Sequence, residues 1–199
     1  MSFRKERKFR LSKHEFDSLK SSLLLKGMWP LYKKRNINSL YYDTQMLDMF
    51  NDSEEGLLPR KKIRIRWYDD ISLANTEVKT SSAEGRFKTS AVSSFCSKPN
   101  MPKNLFDSDY GALSPSLLVS YNREYFSFQS MRLTFDSSIK YINYRQSCNV
   151  EYEDNQYVME IKVSSYISDD YIESIIPWPI TRFSKYCRGL LNSASYLRS

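Results

Sequence analysis

Residues 60–68, Arg-Lys-Lys-Ile-Arg-Ile-Arg-Trp-Tyr, limit what this chain can become more than any other stretch. A β-strand sends alternate side chains to opposite faces. Period two therefore puts Arg60, Lys62, Arg64 and Arg66 on one side, and Ile63, Ile65 and Trp67 on the other. The β-branched and aromatic residues favour a strand, and no Gly or Pro interrupts it. Four like charges along one face repel unless something anionic lies among them. The competing reading is an edge strand charged against aggregation.

The rest of the chain weighs between these two readings. Its 199 residues are enough for one domain with a sizeable core and short for two, so a single domain over residues 1–199 is expected. Hydrophobic content of 41% with 15% aromatic residues predicts a folded chain, and few glycines with many tyrosines favour strands over a helical bundle. The formal net charge of +7 calls for an anionic partner: nucleic acid, phosphate ester or membrane surface. Cys96, Cys148 and Cys187 are odd in number and widely spaced, which fits reduced thiols better than a disulfide framework or a zinc site. The N-terminal segment lacks the apolar core of a signal peptide, and runs such as Leu23 to Leu25 are too short to cross a bilayer. A cytoplasmic protein with no membrane insertion of its own is expected.

In chain order, Phe3 to Leu11 alternates, with Arg4, Glu6, Lys8 and Arg10 on one face. Ser12 with Glu15 forms a capping box. The Phe16, Leu19 and Leu23 stripe predicts a helix ending at Gly27, and His14 sits exposed in its first turn. Asn36 to Asp43 reads as a strand, Thr44 to Asn51 as a helical turn, and Asp52 to Pro59 as a loop. Leu73 to Thr80, a Glu84-Gly85 turn, Leu117 to Tyr125, Met131 to Asp136 and Tyr157 to Ser164 continue the β pattern. Residues 93–116 read as a long connection, and 169–176 and 181–190 as short helices.

Strand after strand therefore pairs an apolar face with a face of Arg, Lys and Glu. If such a sheet closes into a barrel, the charged faces line a wet lumen rich in cations. Confined guanidinium groups would clamp phosphates through bidentate bonds, and the few carboxylates would hold the divalent metal that accompanies polyphosphate.

The motifs Glu6-Arg-Lys-Phe-Arg-Leu11, Tyr41-Tyr-Asp-Thr44, Lys62-Ile-Arg-Ile-Arg-Trp-Tyr68, Glu77-Val-Lys79, Tyr121-Asn-Arg123, Arg132-Leu-Thr-Phe-Asp136, Glu160-Ile-Lys162 and Phe183-Ser-Lys-Tyr186 occur in that order. Together they resemble the VTC domain, the polyphosphate polymerase module of the vacuolar transporter chaperone complex. That domain belongs to the triphosphate tunnel metalloenzymes, with the CYTH-type phosphatases and cyclases. The resemblance implies an α+β, mainly β fold: an eight-stranded antiparallel closed β-barrel with flanking helices. It implies transfer of the γ-phosphate of a nucleoside triphosphate, ATP above others, to a growing polyphosphate chain, with Mn²⁺ or Mg²⁺ as cofactor. Lys8, Arg64, Arg66, Lys79, Arg86, Tyr121, Arg123, Arg132, Lys162 and Lys185 match phosphate-binding positions. Of these, Arg64, Arg66, Lys79, Arg123 and Lys185 carry the catalytic expectation. Glu160 matches the metal carboxylate, with Glu6 and Asp136 as weaker metal candidates. Many relatives begin with a Glu-x-Glu-x-Lys strand, whereas this frame reads Arg4-x-Glu6-x-Lys8, which tilts towards the polymerase branch.

The expected partners are a nucleoside triphosphate and inorganic polyphosphate, with a membrane protein needed for any export and no sequence-specific nucleic acid. Other readings stay open. Arg64 and Arg66 pair with Glu77 and Glu160 as interior salt bridges; Glu160 serves as an ion-pair partner and not a ligand; Lys185 is a solvated helix residue. Tyr41, Tyr42 and Asp43 read as wall packing and turn chemistry. The other functions are a binding module without turnover, a triphosphatase and, last, a nucleic-acid binder, whose exposed basic and aromatic motif is missing.

Overall fold

The computed structural model of the chain describes residues 4–83, 85–92, 101–146 and 150–195. Phe3, Glu84, Cys96, Cys148 and the start of the 93–116 connection lie outside them. In order come β1 (Arg4–Leu11), α1 (Lys13–Leu25), β2 (Trp29–Asp43), α2 (Asp48–Glu55), β3 (Arg60–Tyr68), β4 (Asp70–Ser82) and β5 (Gly85–Val92). Then follow β6 (Leu105–Asp107), β7 (Gly111–Phe128), β8 (Met131–Asn143), β9 (Glu151–Asp154), β10 (Tyr157–Ser164), α3 (Asp169–Ile175) and α4 (Lys185–Ser195). The fold is α+β, mainly β, and the described ladders are antiparallel. Contacts divide the chain into two compact units interleaved in sequence. The first holds residues 1–35, 121–139 and 154–183, and the second 36–120, 140–153 and 184–199.

In the first unit the strands run β1-β10-β8-β7. Register places Lys8 opposite Glu160 and Glu6 opposite Lys162, and then Glu160 opposite Thr134 and Lys162 opposite Arg132. Because side chains alternate, the intervening Phe9, Leu11, Met159, Ile161, Leu133 and Phe135 all turn to the other face and form its core. Helix α1 covers that core with Phe16, Leu19 and Leu23. Its capping box is present: Ser12 N–H donates to Glu15 Oε2 at 2.7 Å, and the Ser12 side chain accepts from the Glu15 N–H. Gly27 follows the C-cap at φ +98°, a conformation that excludes most side chains.

In the second unit the order is β7-β2-β3-β4-β5, with β6 on β7. Lys62, Arg64 and Arg66 share a face with Tyr41 and Ser39 of β2 and with Lys79 and Glu77 of β4. Leu40, Tyr42, Ile63, Ile65, Trp67 and Ala74 pack on the opposite face with Met49, Leu113 and Leu118.

Several elements outrun their sequence signal. β2 starts at Trp29, β7 at Gly111 and β8 continues to Asn143, while Asp52 belongs to α2 and not to a loop. Neither run of strands closes on itself among the described residues, so the closed eight-stranded barrel expected above is seen as open ladders. The outer edge of β1 has a different partner. Thr181 N–H donates to Lys8 O at 2.8 Å, and Arg10 N–H donates to Thr181 Oγ1 at 3.1 Å, so an irregular segment lies along that edge in place of a further strand.

Helix α4 packs through Gly189, where a Cβ would stand 2.5 Å from Tyr141 Cδ1 and 2.6 Å from Leu117 Cδ2. The Tyr141 ring, stacked on Tyr152, cannot yield cheaply. Gly189→Ala should therefore destabilise the protein by about 1–3 kcal/mol, despite alanine's better helix propensity, seen as a lowered Tm in calorimetry.

Candidate functional site

The second unit concentrates charge around one carboxylate. Glu77 is 4% exposed, and its Oε2 accepts from Arg64 Nε at 2.9 Å and Nη2 at 2.7 Å. Its Oε1 accepts from Lys88 Nζ at 2.6 Å, and Arg66 Nη1 lies 3.9 Å from Oε2. Burial would raise this carboxyl, but Arg64, Arg66 and Lys88 hold it down at about 2. The interior salt-bridge reading is thus realised for Arg64 and Glu77, with Arg66 and Lys88 drawn to the same carboxylate. Across β3, β4 and β5, Lys62, Lys79 and Lys88 stand in direct register, three ammonium groups in a row. Like charges directly opposite one another destabilise a sheet unless compensated, and here Lys88 is paired with Glu77 while Lys62 donates to Ser184.

Strand β2 and helix α4 buttress this cluster. Arg66 Nε donates to Ser39 Oγ at 2.9 Å, Arg64 Nη1 to Tyr41 Oη at 2.8 Å, and Lys62 Nζ to Ser184 Oγ at 2.9 Å. Tyr41 stacks on Tyr186 with centroids 4.7 Å apart. Tyr186 in turn donates to Asp43, whose carboxylate also caps α2 by accepting from the Met49 and Phe50 N–H groups at 3.0 Å. Burial would push the Tyr41 phenol up, but Arg64, Arg66 and Lys62 bring it down to about 8. Burial and then Asp43 drive the Tyr186 phenol far the other way.

The first unit is more evenly matched. Arg123 donates from Nε and Nη2 to the two oxygens of Asp136 at 2.6 and 2.7 Å, and Asp136 is fully buried. Burial works against the Arg123 charge, but Asp136 and then Tyr121 hold it well above its ordinary range. Glu160 lies 3.9 Å from Arg123 Nη2 and 3.3 Å from Lys162 Nζ, and Glu6 is 3.2 Å from the same ammonium. Lys8 Nζ donates to Phe183 O at 2.9 Å. Arg132 packs over the Tyr32 and Tyr125 rings at 5.5 and 5.6 Å, with its buried Nε lacking a hydrogen-bond partner.

Arg64, Arg66 and Lys79 therefore share one sheet face in the second unit, where Lys185 opens α4. Lys8, Tyr121, Arg123, Arg132, Lys162, Glu160, Glu6 and Asp136 fall in the first unit. Arg86 pairs with Ser81 on β5, and its side chain lies outside the described residues. Lys62, Lys88, Ser39, Tyr41 and Ser184 were not among the expected site residues. The alternation of β3 pointed to Lys62, whereas the other four depend on register and helix placement. Among the described residues no group of three or more His, Cys, Asp or Glu side chains could hold a metal ion.

The sequence matches the VTC domain family over residues 3–193. The chain belongs to the VTC domain family. A candidate adenylate cyclase of Bacillus halodurans superposes with a TM-score of 0.57 at 15% identity, covering 90% of this chain and 92% of that one. A conserved hypothetical protein of Pyrococcus furiosus gives 0.57 at 10% identity, with 93% and 99% covered. A candidate adenylyl cyclase of Hippeastrum, described as having a dominant triphosphatase activity, gives 0.52 at 14% identity, with 94% and 95% covered. These likenesses show that this VTC domain shares its fold with those three proteins. No curated protein matches the chain. Among the described residues, no helix is long and apolar enough to cross a membrane.

The depressed Glu77 carboxyl makes the domain acid-sensitive. A group whose folded value lies below its ordinary 4.5 stabilises the fold above that pH and loses the contribution as pH falls towards about 2. Denaturant unfolding of wild type and Glu77→Gln should differ by on the order of 3 kcal/mol near neutrality. The gap should close as the pH approaches about 2.

Proposed function

We propose that this VTC domain is a metal-dependent polyphosphate polymerase, transferring the γ-phosphate of a nucleoside triphosphate to a growing polyphosphate chain. The observation that carries the reading is the Lys62, Arg64, Arg66, Lys79 and Lys88 face with Glu77 as the acid among them. Among the described residues of that face cations outnumber acids, which favours phosphate oxygens as ligands. Arg64 and Arg66 are placed by Tyr41, Ser39 and Glu77 before any ligand arrives, so little ordering cost remains at binding. Arg123 is similarly set by Asp136, and Arg132 keeps one buried donor unused. In this reading Lys8, Tyr121, Arg123, Arg132 and Lys162 of the first unit bind phosphate, as do Arg64, Arg66, Lys79, Arg86 and Lys185 of the second.

Glu160 and Glu6 suit a divalent metal. Their oxygens converge on one ammonium, that of Lys162, and two carboxylates plus phosphate oxygens are a fitting donor set for Mg²⁺ or Mn²⁺. Asp136 is the weaker candidate, since Arg123 takes both its oxygens. When bound, the metal neutralises charge on the phosphates. The terminal phosphate of the acceptor attacks the γ-phosphorus in line, a new phosphoanhydride bond forms, and the bond to the β-phosphate breaks to release the nucleoside diphosphate. The acceptor is already deprotonated, so no general base is required. Positioning and cationic stabilisation by the protein carry the rate.

A triphosphatase is the second reading, favoured by the activity described for the Hippeastrum protein. Water then attacks in place of the acceptor phosphate. Incubation with γ-labelled ATP and Mn²⁺ separates the two. A polyphosphate ladder is expected, reduced about 100-fold or more in Arg64→Ala and Glu160→Ala. Labelled orthophosphate alone would make the protein a hydrolase, and binding without turnover would make it a binding module.

A further inference from the structure

On β2, Ser39 and Tyr41 face the arginines of β3, with Tyr41 opposite Arg64 and Ser39 opposite Arg66. The Tyr41 oxygen accepts from Arg64 Nη1 at 2.8 Å. Among the described residues no acceptor takes the phenolic proton itself. Neither evident structural role uses that proton. Stacking on Tyr186 needs only the ring, and holding Arg64 needs only a lone pair on the oxygen. The ring cannot turn away to find an acceptor, because Tyr186 is itself tied to Asp43 and Ser116. A buried hydroxyl with an unused donor costs free energy, and this one sits 7% exposed among Lys62, Arg64 and Arg66. The species that those cations attract is an anion, which is an acceptor.

We infer that Tyr41 contacts the substrate directly, its hydroxyl donating to a phosphate oxygen held by Arg64 and Arg66. The inference rests on the triphosphate reading above and adds to it a residue assigned there to buttressing alone. It carries a pH signature. The groups facing Tyr41 are Lys62, Arg64 and Arg66 from β3, Glu77 from β4, Tyr186 from α4 and Asp43 on its own strand. Neither Glu77, held down near 2, nor Tyr186, driven far above its ordinary range, titrates where the cations hold the Tyr41 phenol, about 8, and the Cys187 thiol of α4 lies 3.6 Å from Lys62 in the same cluster. Ionisation removes the donor and sets a negative charge against the phosphate, so substrate binding weakens.

The test is calorimetric titration of the full chain with tripolyphosphate, metal-free, across the neutral to alkaline range bracketing about 8. Tyr41→Phe keeps the ring and should bind about tenfold more weakly than wild type at neutral pH. That ratio should shrink towards unity as the wild type passes pH 8 or so. The ligand's own titration is common to both proteins and cancels. Equal affinities throughout, or a ratio that grows with pH, overturn the contact and leave the triphosphate reading intact. A wild type that does not bind tripolyphosphate overturns both. Should Tyr41→Phe fail to fold, tyrosinate difference absorbance of the wild type decides. Saturating tripolyphosphate is expected to move the earliest-titrating tyrosine to higher pH, and no movement refutes the contact.

Discussion

A buried carboxylate surrounded by more positive charge than it can neutralise is the constraint on which the second unit depends. Glu77 cannot be removed without leaving Arg64 and Arg66 to repel each other in a poorly hydrated place. Nor does it suffice to make the face neutral. Its neighbours are arranged accordingly. Arg64 spends three donor contacts on Glu77 and Tyr41, and Arg66 is steered by Ser39. The guanidinium planes are thereby fixed by β2 and β4 on either side of β3. The same sheet that raises the electrostatic cost also sets the geometry that an anion would exploit.

Asp43 shows how the fold extends this control beyond the strands. It ends β2, accepts from the first amides of α2, and receives the Tyr186 hydroxyl from α4. Tyr186 then stacks on Tyr41, which holds Arg64. One carboxylate thus joins a helix start, a terminal helix and an arginine through ordinary bonds. Burial disfavours its charge and holds its carboxyl above the ordinary range, a penalty that the converging donors reduce in part.

The parts of this arrangement legible in the sequence were those governed by local periodicity. The alternation of residues 60–68 gave both faces of β3 correctly, and Ser12 with Glu15 located the start of α1. Other features left no local trace. The first seven residues of β2 are exposed or half-buried, so no apolar alternation marks them as strand. Helix α2 has at its N-cap Leu47, a left-handed residue without a side-chain cap, because the capping carboxylate is Asp43 on the preceding strand. Pro115 disguised the first part of β7 as a connection. The lysine row depends on register across three strands, which is a tertiary property. Tyr41 read as packing for the same reason. Only the pairing with Arg64 reveals that its hydroxyl belongs to the charged face.

The two units resolve like problems differently. In the first, Arg123 has Asp136, and Lys162 has both Glu6 and Glu160, so the charged face is close to satisfied as it stands. In the second, Arg64, Arg66 and Lys88 share Glu77, and Lys62 turns to neutral partners in Ser184 and Cys187. A sheet selected for stability alone would place acids opposite Lys62 and Lys79, which costs nothing in backbone geometry. The five cations there are the arrangement on which the proposed phosphate site rests. It also explains why the buttressing groups of that face are hydroxyls. Ser39, Tyr41 and Ser184 orient the cations by accepting hydrogen bonds while leaving their charge available, which a carboxylate in the same positions would cancel.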